Sequence, residues 1–274
     1  MISFPNAKIN LGLNIVEKRN DGFHNIETIF CPIDLTDSLE FIVLPNATNT
    51  KFSQSGMLID GNPEDNLIMK AYRMIANDFK LPNLHIHLQK NIPFGAGLGG
   101  GSSDAAFMIM MLNDYFDLKL NENQMEKYAE NLGSDCPFFI KNKPTFAYEK
   151  GTKFKPINLD LSDFNIVLIK PNIHVSTKEA YNNCQPHYPE IRLEELINQN
   201  VSNWKNNIKN DFELSIFKFY PEIKRIKEQL YEIGATYASM SGSGSSVFGL
   251  FKKDFNLPQI AFDNAFVWKG NFKL

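Results

Sequence analysis

The stretch with the most chemistry in it is Gly95-Ala96-Gly97-Leu98-Gly99-Gly100-Gly101-Ser102-Ser103, with five glycines in seven residues and two hydroxyls after them. Glycine takes up positive φ without steric cost and lets backbone come close to a ligand. An apolar run, Ala105 to Leu112, follows. A glycine loop feeding a helix gathers N–H groups at the positive end of the helix dipole, which suits a phosphate. A second glycine–serine loop spans Ser241 to Ser246. Two charged residues add to the set: Lys8, with Asn10 two residues on, and Asp135 in Ser134-Asp135-Cys136-Pro137. Taken singly, Lys8 and Asn10 suit a solvated strand face and Asp135 suits turn chemistry. His85 and His87 have no carboxylate or cysteine nearby to complete a metal set, so they read as outward-facing polar residues.

The elements that must place these groups follow from periodicity. Residues 7–15 alternate, with Ala7, Ile9, Leu11, Leu13 and Ile15 on one face and Lys8, Asn10, Gly12 and Asn14 on the other. That is a strand, with Lys8 and Asn10 about 7 Å apart on the same side. Strands are expected over 23–35, broken by Pro32, and over 38–44; the span 45–61 reads as polar turns ending in Asp60-Gly61. A helix is expected over 66–79, then a strand from Leu84 into the loop, a buried helix after the loop, and a helix over 122–132 with Gly133 at its stop. Strands at 145–150, 154–159 and 164–169 precede helices at 191–199, 211–219 and 221–233. Strands over 236–240 and 247–251 flank the second loop.

The 274 residues suffice for one large domain or two ordinary ones, and a change of domain is placed near 158–162. Net charge is −3, without a block of like charge, which argues against nucleic-acid binding through a basic surface. Three scattered cysteines point to a reduced, cytoplasmic protein. The first residues do not read as a signal peptide, and there is no apolar run long enough to span a membrane.

Three phosphate-loop families compete. No lysine follows the glycines, which excludes a Walker A loop. Gly95, Gly97 and Gly100 satisfy G-x-G-x-x-G, but the helix leads to another helix rather than a second parallel strand, so the dinucleotide context fails. Pro93 to Ser103 resembles the phosphate loop of the GHMP kinases, as Pro5 to Leu11 and Met240 to Ser246 resemble that superfamily's first and third motifs. Within the superfamily, Arg19 to His24, Gly97 to Ala106 and Gly133 to Phe139 resemble the member whose acceptor is a cytidine-diphosphate-linked methylerythritol. A homoserine- or mevalonate-type kinase and a non-catalytic nucleotide-binding relative are the alternatives.

The resemblance implies an α+β, two-domain fold: a ribosomal protein S5 domain 2-like N-terminal domain (1–159) and a ferredoxin-like C-terminal domain (160–274). It implies phosphorylation of a 2-hydroxyl by ATP with Mg²⁺, in a monomer or weak homodimer with small-molecule partners. ATP would meet Pro93, Phe94, Gly95, Ala96, Gly97, Leu98, Gly99, Gly100, Gly101, Ser102, Ser103, Asn66 and Lys90, with Ser103 at the metal. Asp135 would be the general base and Lys8 its cationic partner, holding the carboxyl ionised. Asn10, Phe23, His24, Tyr181, Lys150 and Thr177 would bind the acceptor. The family usually has tyrosine where Phe23 stands; the stacking face survives that change and the phenol does not.

Overall fold

The computed structural model describes residues 1–58, 62–258, 262 and 264–273, so the expected Asp60-Gly61 turn lies outside the described residues. The strands are β1 (Ile2–Ser3), β2 (Asn6–Lys18), β3 (His24–Thr36), β4 (Ser38–Val43), β5 (Lys51–Gly56), β6 (Leu84–Lys90), β7 (Thr145–Tyr148), β8 (Lys153–Pro156), β9 (Phe164–Pro171), β10 (Tyr237–Met240), β11 (Val247–Lys252) and β12 (Ala265–Gly270). The helices are α1 (Leu67–Phe79), α2 (Gly100–Tyr115), α3 (Glu122–Glu130), α4 (Phe138–Lys141), α5 (Thr177–Asn182), α6 (Leu193–Leu196), α7 (Trp204–Asn207), α8 (Phe212–Phe219) and α9 (Pro221–Glu232). Contacts divide the chain into two units: residues 1–7, 35–94 and 99–142, and residues 8–34, 95–98 and 143–274. Position 159, where chain order suggested a boundary, falls within the second of them.

In the first unit α1 to α4 accompany a sheet of order β1-β4-β6-β5. The α1 helix packs on α2, and α2 touches α3 and α4. The expectation of a central helix after the loop holds: Ala105, Ala106, Met108, Ile109 and Leu112 are all fully buried. Strand β5 lies in the span read as turns. Its Ser53, Gln54 and Ser55 give no apolar alternation, and it is held by parallel pairing with β6. Ser53 Oγ meets His85 Nε2 at 3.0 Å and His87 Nδ1 at 2.9 Å, and Ser55 Oγ meets His87 Nε2 at 3.0 Å. The two histidines are thus tied to the neighbouring strand.

In the second unit, a sheet of order β10-β11-β9-β12 is antiparallel throughout, and α9 packs on β10 and β11. Its core includes Val167, Ile169, Phe212, Ile216, Ile223 and Leu230. Strand β12 is an addition to the expected elements. The expected helix over 191–199 is confined to α6. Pro32 does not break β3: the rungs to β7 fall at Thr28, Ile29 and Phe30, before the residue that lacks an N–H. Helix α3 ends at Glu130 and is capped by Asn131, not Gly133.

A buried ionic cluster in the first unit ties the two ends of the glycine stretch. Lys90 Nζ donates to Asp37 and, at 2.7 Å, to Asp104; all three side chains are at most 2% exposed. Asp37 Oδ1 also accepts the N–H groups of Asn91 (2.6 Å) and Ile92 (2.8 Å), so one carboxylate sets the chain entering the loop. Asp104 sits in the second turn of α2, where the chain leaves it. One ammonium faces two carboxyls, and Asp104 Oδ1 has no partner. Burial pushes the Asp104 carboxyl up to about 7, with repulsion from Asp37 adding to it and Lys90 opposing it. Burial pulls Lys90 down, but Asp104 and Asp37 outweigh it and hold it above its ordinary value.

Between about pH 4 and pH 7 the unfolded chain therefore loses the Asp104 proton while the folded chain keeps it. This group's contribution to stability falls as pH rises through that window and is level above it. Asp104→Asn removes the component. In urea unfolding at about pH 5 and about pH 8, the stability change between the two should differ between wild type and variant by on the order of a few kcal/mol. An equal change in both proteins refutes this account.

Candidate active site

Strand β2 carries Lys8 and Asn10, and alternation alone leaves them on a polar face. That face is buried as well: Lys8 is 3% and Asn10 2% exposed. Gly12, beside them, has φ of +72°, and a Cβ there would stand 2.7 Å from Ile208 and 2.8 Å from Leu193. What approaches the strand at Gly12 is therefore apolar packing from the same unit.

Lys8 Nζ donates to Asn10 Oδ1 at 2.6 Å and to the Gly97 carbonyl at 3.1 Å, and stands 4.8 Å from the centre of the Phe30 ring. The Lys8 N–H donates to the Leu98 carbonyl at 3.0 Å. Asn10 Nδ2 donates to Thr28 Oγ1 at 2.9 Å, and that hydroxyl donates to the Gly12 carbonyl at 2.6 Å. The strand therefore grips residues 97 and 98 through both main chain and side chain. In the loop itself Gly95 and Gly97 hold positive φ, 61° and 74°, and alternate with Ala96 and Leu98, which do not. Such alternation curls consecutive N–H groups into a concavity that receives an anion.

Gly97 is required here. A Cβ would lie 2.0 Å from the Ser241 carbonyl oxygen. The Ser241 hydroxyl donates to the Gly97 carbonyl at 2.9 Å and accepts the Asn10 N–H at 3.2 Å. The second glycine–serine loop is thus part of the site, with Ser241 N–H bonded to the Ser246 carbonyl and Ser245 Oγ to the Ile173 carbonyl. Thr177 meets this loop at Ser243, hydroxyl to hydroxyl at 3.2 Å.

Four expected acceptor residues pair off in the same unit. The His24 and Tyr181 rings stack at 4.9 Å and 18°. Lys150 Nζ lies 5.0 Å over the Phe23 ring, which is 60% exposed. Burial, helped by the Lys18 ammonium, holds His24 below the usual imidazole range, which favours the neutral ring with one donor and one acceptor nitrogen.

In the first unit, Asn66 caps α1, accepting the Ile68 N–H at 2.9 Å. With Leu67, Pro63, Phe52, Phe94, Gly101 and Asp104 it lines a cavity of about 460 Å³. Ser53, Gln54, Asn62 and Asp65 complete the lining, and this mix of apolar walls and polar edges suits a flat heterocycle. Helix α2 starts behind Gly99, whose φ is +69°, with no side-chain cap on its first turn. Ser102 is half-buried, whereas Ser103 is fully buried with its hydroxyl unpartnered. Lys90, expected at ATP, is 1% exposed with its ammonium given to Asp37 and Asp104. Asp135 is half-buried in the turn between α3 and α4. Thr28, Asp37, Asp104 and Ser241 were missed as individual site residues. Ser241 carried a signal in its place in a glycine–serine loop between two strands, and Asp104 in its place within Gly97 to Ala106; Thr28 and Asp37 carried none. Among the described residues no cluster of three or more His, Cys, Asp or Glu could hold a metal ion, and no helix is long and apolar enough to cross a membrane.

Residues 66–143 match the GHMP kinases N terminal domain and residues 192–269 the GHMP kinases C terminal family. The chain is 54% identical over 275 residues to the 4-diphosphocytidyl-2-C-methyl-D-erythritol kinase of Bacteroides fragilis, with all of both chains covered. It is 55% identical to the enzyme of that name from Bacteroides thetaiotaomicron, over 98% of this chain and 99% of the other. A crystal structure of 4-(cytidine 5'-diphospho)-2C-methyl-D-erythritol kinase matches with a TM-score of 0.82 and 28% identity, over 99% of each chain. With matches to both GHMP kinase family models, these relatives, aligned over nearly the whole chain, put it in the 4-diphosphocytidyl-2-C-methyl-D-erythritol kinase family of the GHMP kinases.

Proposed function

We propose that this protein transfers the γ-phosphoryl group of ATP to the 2-hydroxyl of 4-(cytidine 5'-diphospho)-2-C-methyl-D-erythritol, giving the 2-phosphate and ADP. The reaction belongs to the non-mevalonate route to isoprenoid precursors. The observation that carries this reading is the buried Lys8 ammonium, tied at 3.1 Å to a carbonyl of the phosphate loop and at 2.6 Å to Asn10. A cation and a polar side chain fixed to that loop are what an acceptor hydroxyl needs beside a phosphoryl donor.

The loop N–H groups around Gly95 to Gly97 and the uncapped start of α2 hold the phosphates, and the cavity beside Asn66 and Phe94 takes the adenine. Lys90 supports the loop through Asp37. Ser102, the more exposed of the two hydroxyls on the first turn of α2, would contact ATP-bound Mg²⁺ more readily than the buried Ser103, and the ion would neutralise phosphate charge there. Asp135 accepts the proton of the 2-hydroxyl as the new O–P bond forms. The bond from the γ-phosphorus to the β-bridging oxygen breaks, and the electron pair leaves with ADP. Lys8 offsets the developing negative charge, and Asn10 orients the acceptor hydroxyls. Phe23 and Tyr181 offer aromatic faces to the cytosine, His24 reads its edge, and Lys150 and Thr177 border the acceptor.

Purified protein supplied with Mg·ATP should release ADP with the cytidine-linked methylerythritol and not with homoserine or mevalonate. Turnover of either of those acceptors without turnover of the first would overturn the assignment. Asp135→Asn should lower kcat by about 10²–10⁴-fold while ATP binding persists. Normal turnover in that variant would remove Asp135 from the role of base.

A further inference from the structure

The second glycine–serine loop needs something to aim it, because Ser241 must meet both Asn10 and Gly97. The partner is a residue with no motif around it. Asn210, between α7 and α8, is 2% exposed. Its Nδ2 donates to the Met240 carbonyl at 2.8 Å and to the Gly242 carbonyl at 2.8 Å, bracketing Ser241. Its Oδ1 accepts the Phe212 N–H at 3.0 Å. Both amide protons are used, and the three partners fix which way the amide faces.

Asn210 is itself anchored to the strand that carries Lys8. Leu13 N–H donates to the Lys209 carbonyl and Asp211 N–H to the Leu13 carbonyl, both at 2.9 Å. Ile15 N–H donates to Asp211 Oδ2 at 2.7 Å. Glu213 completes the bracket: its Oε1 accepts the Met240 N–H at 2.8 Å. Residues 210–213 thus take both kinds of main-chain group from the start of the loop while they are zipped to β2.

We propose that Asn210 is a positioning residue for phosphoryl transfer: by holding the carbonyls on either side of Ser241, it places that hydroxyl on the Gly97 carbonyl against which Lys8 is set. Asn210 touches neither reactant in this scheme. Its effect runs through Ser241, so the two residues form one unit and their removal is not additive. A residue that merely stabilises the fold would lower the unfolding midpoint and leave kcat per folded molecule alone.

The proposal rests on the kinase reading, and the experiment separates the two. Wild type, Asn210→Asp, Asn210→Ser, Ser241→Ala and Asn210→Ser/Ser241→Ala are assayed with Mg·ATP and the cytidine-linked methylerythritol, and each is unfolded in urea to obtain its folded fraction. Asn210→Asp keeps the shape and loses both donors. Asn210 and Ser241 single variants should each lose about 10- to 100-fold in kcat per folded molecule, with the acceptor KM changed by less than about 3-fold. The double variant should lose no more than the worse single. Wild-type kcat in the folded Asn210 variants, or losses that multiply in the double variant, overturn the proposal. Failure of both Asn210 substitutions to fold makes the residue structural and overturns it too. Wild type inactive on this acceptor takes down the kinase reading and this inference with it.

Discussion

One carbonyl oxygen, that of Gly97, receives the Lys8 ammonium and the Ser241 hydroxyl together. Much of the second unit's part of the site is arranged to make that possible. The loop must turn its carbonyl inward there, which takes the positive φ of Gly97, and Ser241 must come so close that no Cβ fits between. Strand β2 must be buried on both faces, because Lys8 and Asn10 reach the loop from the face that alternation would leave to solvent. A two-sided buried strand normally reads as a continuous apolar run. Here Lys8 and Asn10 are satisfied by hydrogen bonds instead, as burial demands.

The two buried lysines are held in contrasting ways. Lys90 meets two carboxyls and binds the entry and exit of the glycine stretch within one unit. Lys8 is held by an amide oxygen, a main-chain carbonyl and the face of Phe30. Two carboxylates orient the Lys90 ammonium while they cancel its charge, whereas Lys8 reaches from β2 to a carbonyl of the glycine loop. The first arrangement suits a clamp. The second fixes Lys8 against the glycine loop of its own unit. Charge and burial look alike for both residues in a sequence; the partners separate them.

That difference marks how far the sequence could be read. The glycine stretch, the β2 alternation, the buried α2 and the two loop motifs were legible because each rests on local rules of spacing or turn chemistry. Strand β5 was not, since Ser53-Gln54-Ser55 has no apolar face and its hold comes from β6, some thirty residues further on. Lys90 was placed at the nucleotide, because nothing near it in sequence indicates Asp37. Asn210 was invisible for the same reason: its partners are 30 and 32 residues away. Ser103 looked as good a metal contact as Ser102, and only the helical turn decides which of two adjacent hydroxyls faces the core.

The aromatic pair at the other end of the proposed acceptor site follows the same logic of fixed partners. Phe23 presents a ring without a phenol, so it can stack on a base but cannot read its edge. In the proposed site, reading then falls to His24, which needs a ring in one plane with one donor and one acceptor. Stacking on Tyr181 supplies the plane, with Tyr181 in turn set edge-on against the buried Phe212. Burial and the Lys18 ammonium favour the neutral state. Cytosine offers an amino donor beside a ring-nitrogen acceptor, and a neutral imidazole can match either one through one of its two nitrogens. A protonated ring would offer only donors. Phe212, which steadies this end through Tyr181, is also the residue whose N–H bonds Asn210. The segment that aims the phosphate-side loop therefore also supports the ring that orients His24, and both ends of the proposed site in this unit depend on where residues 210–213 are pinned to β2.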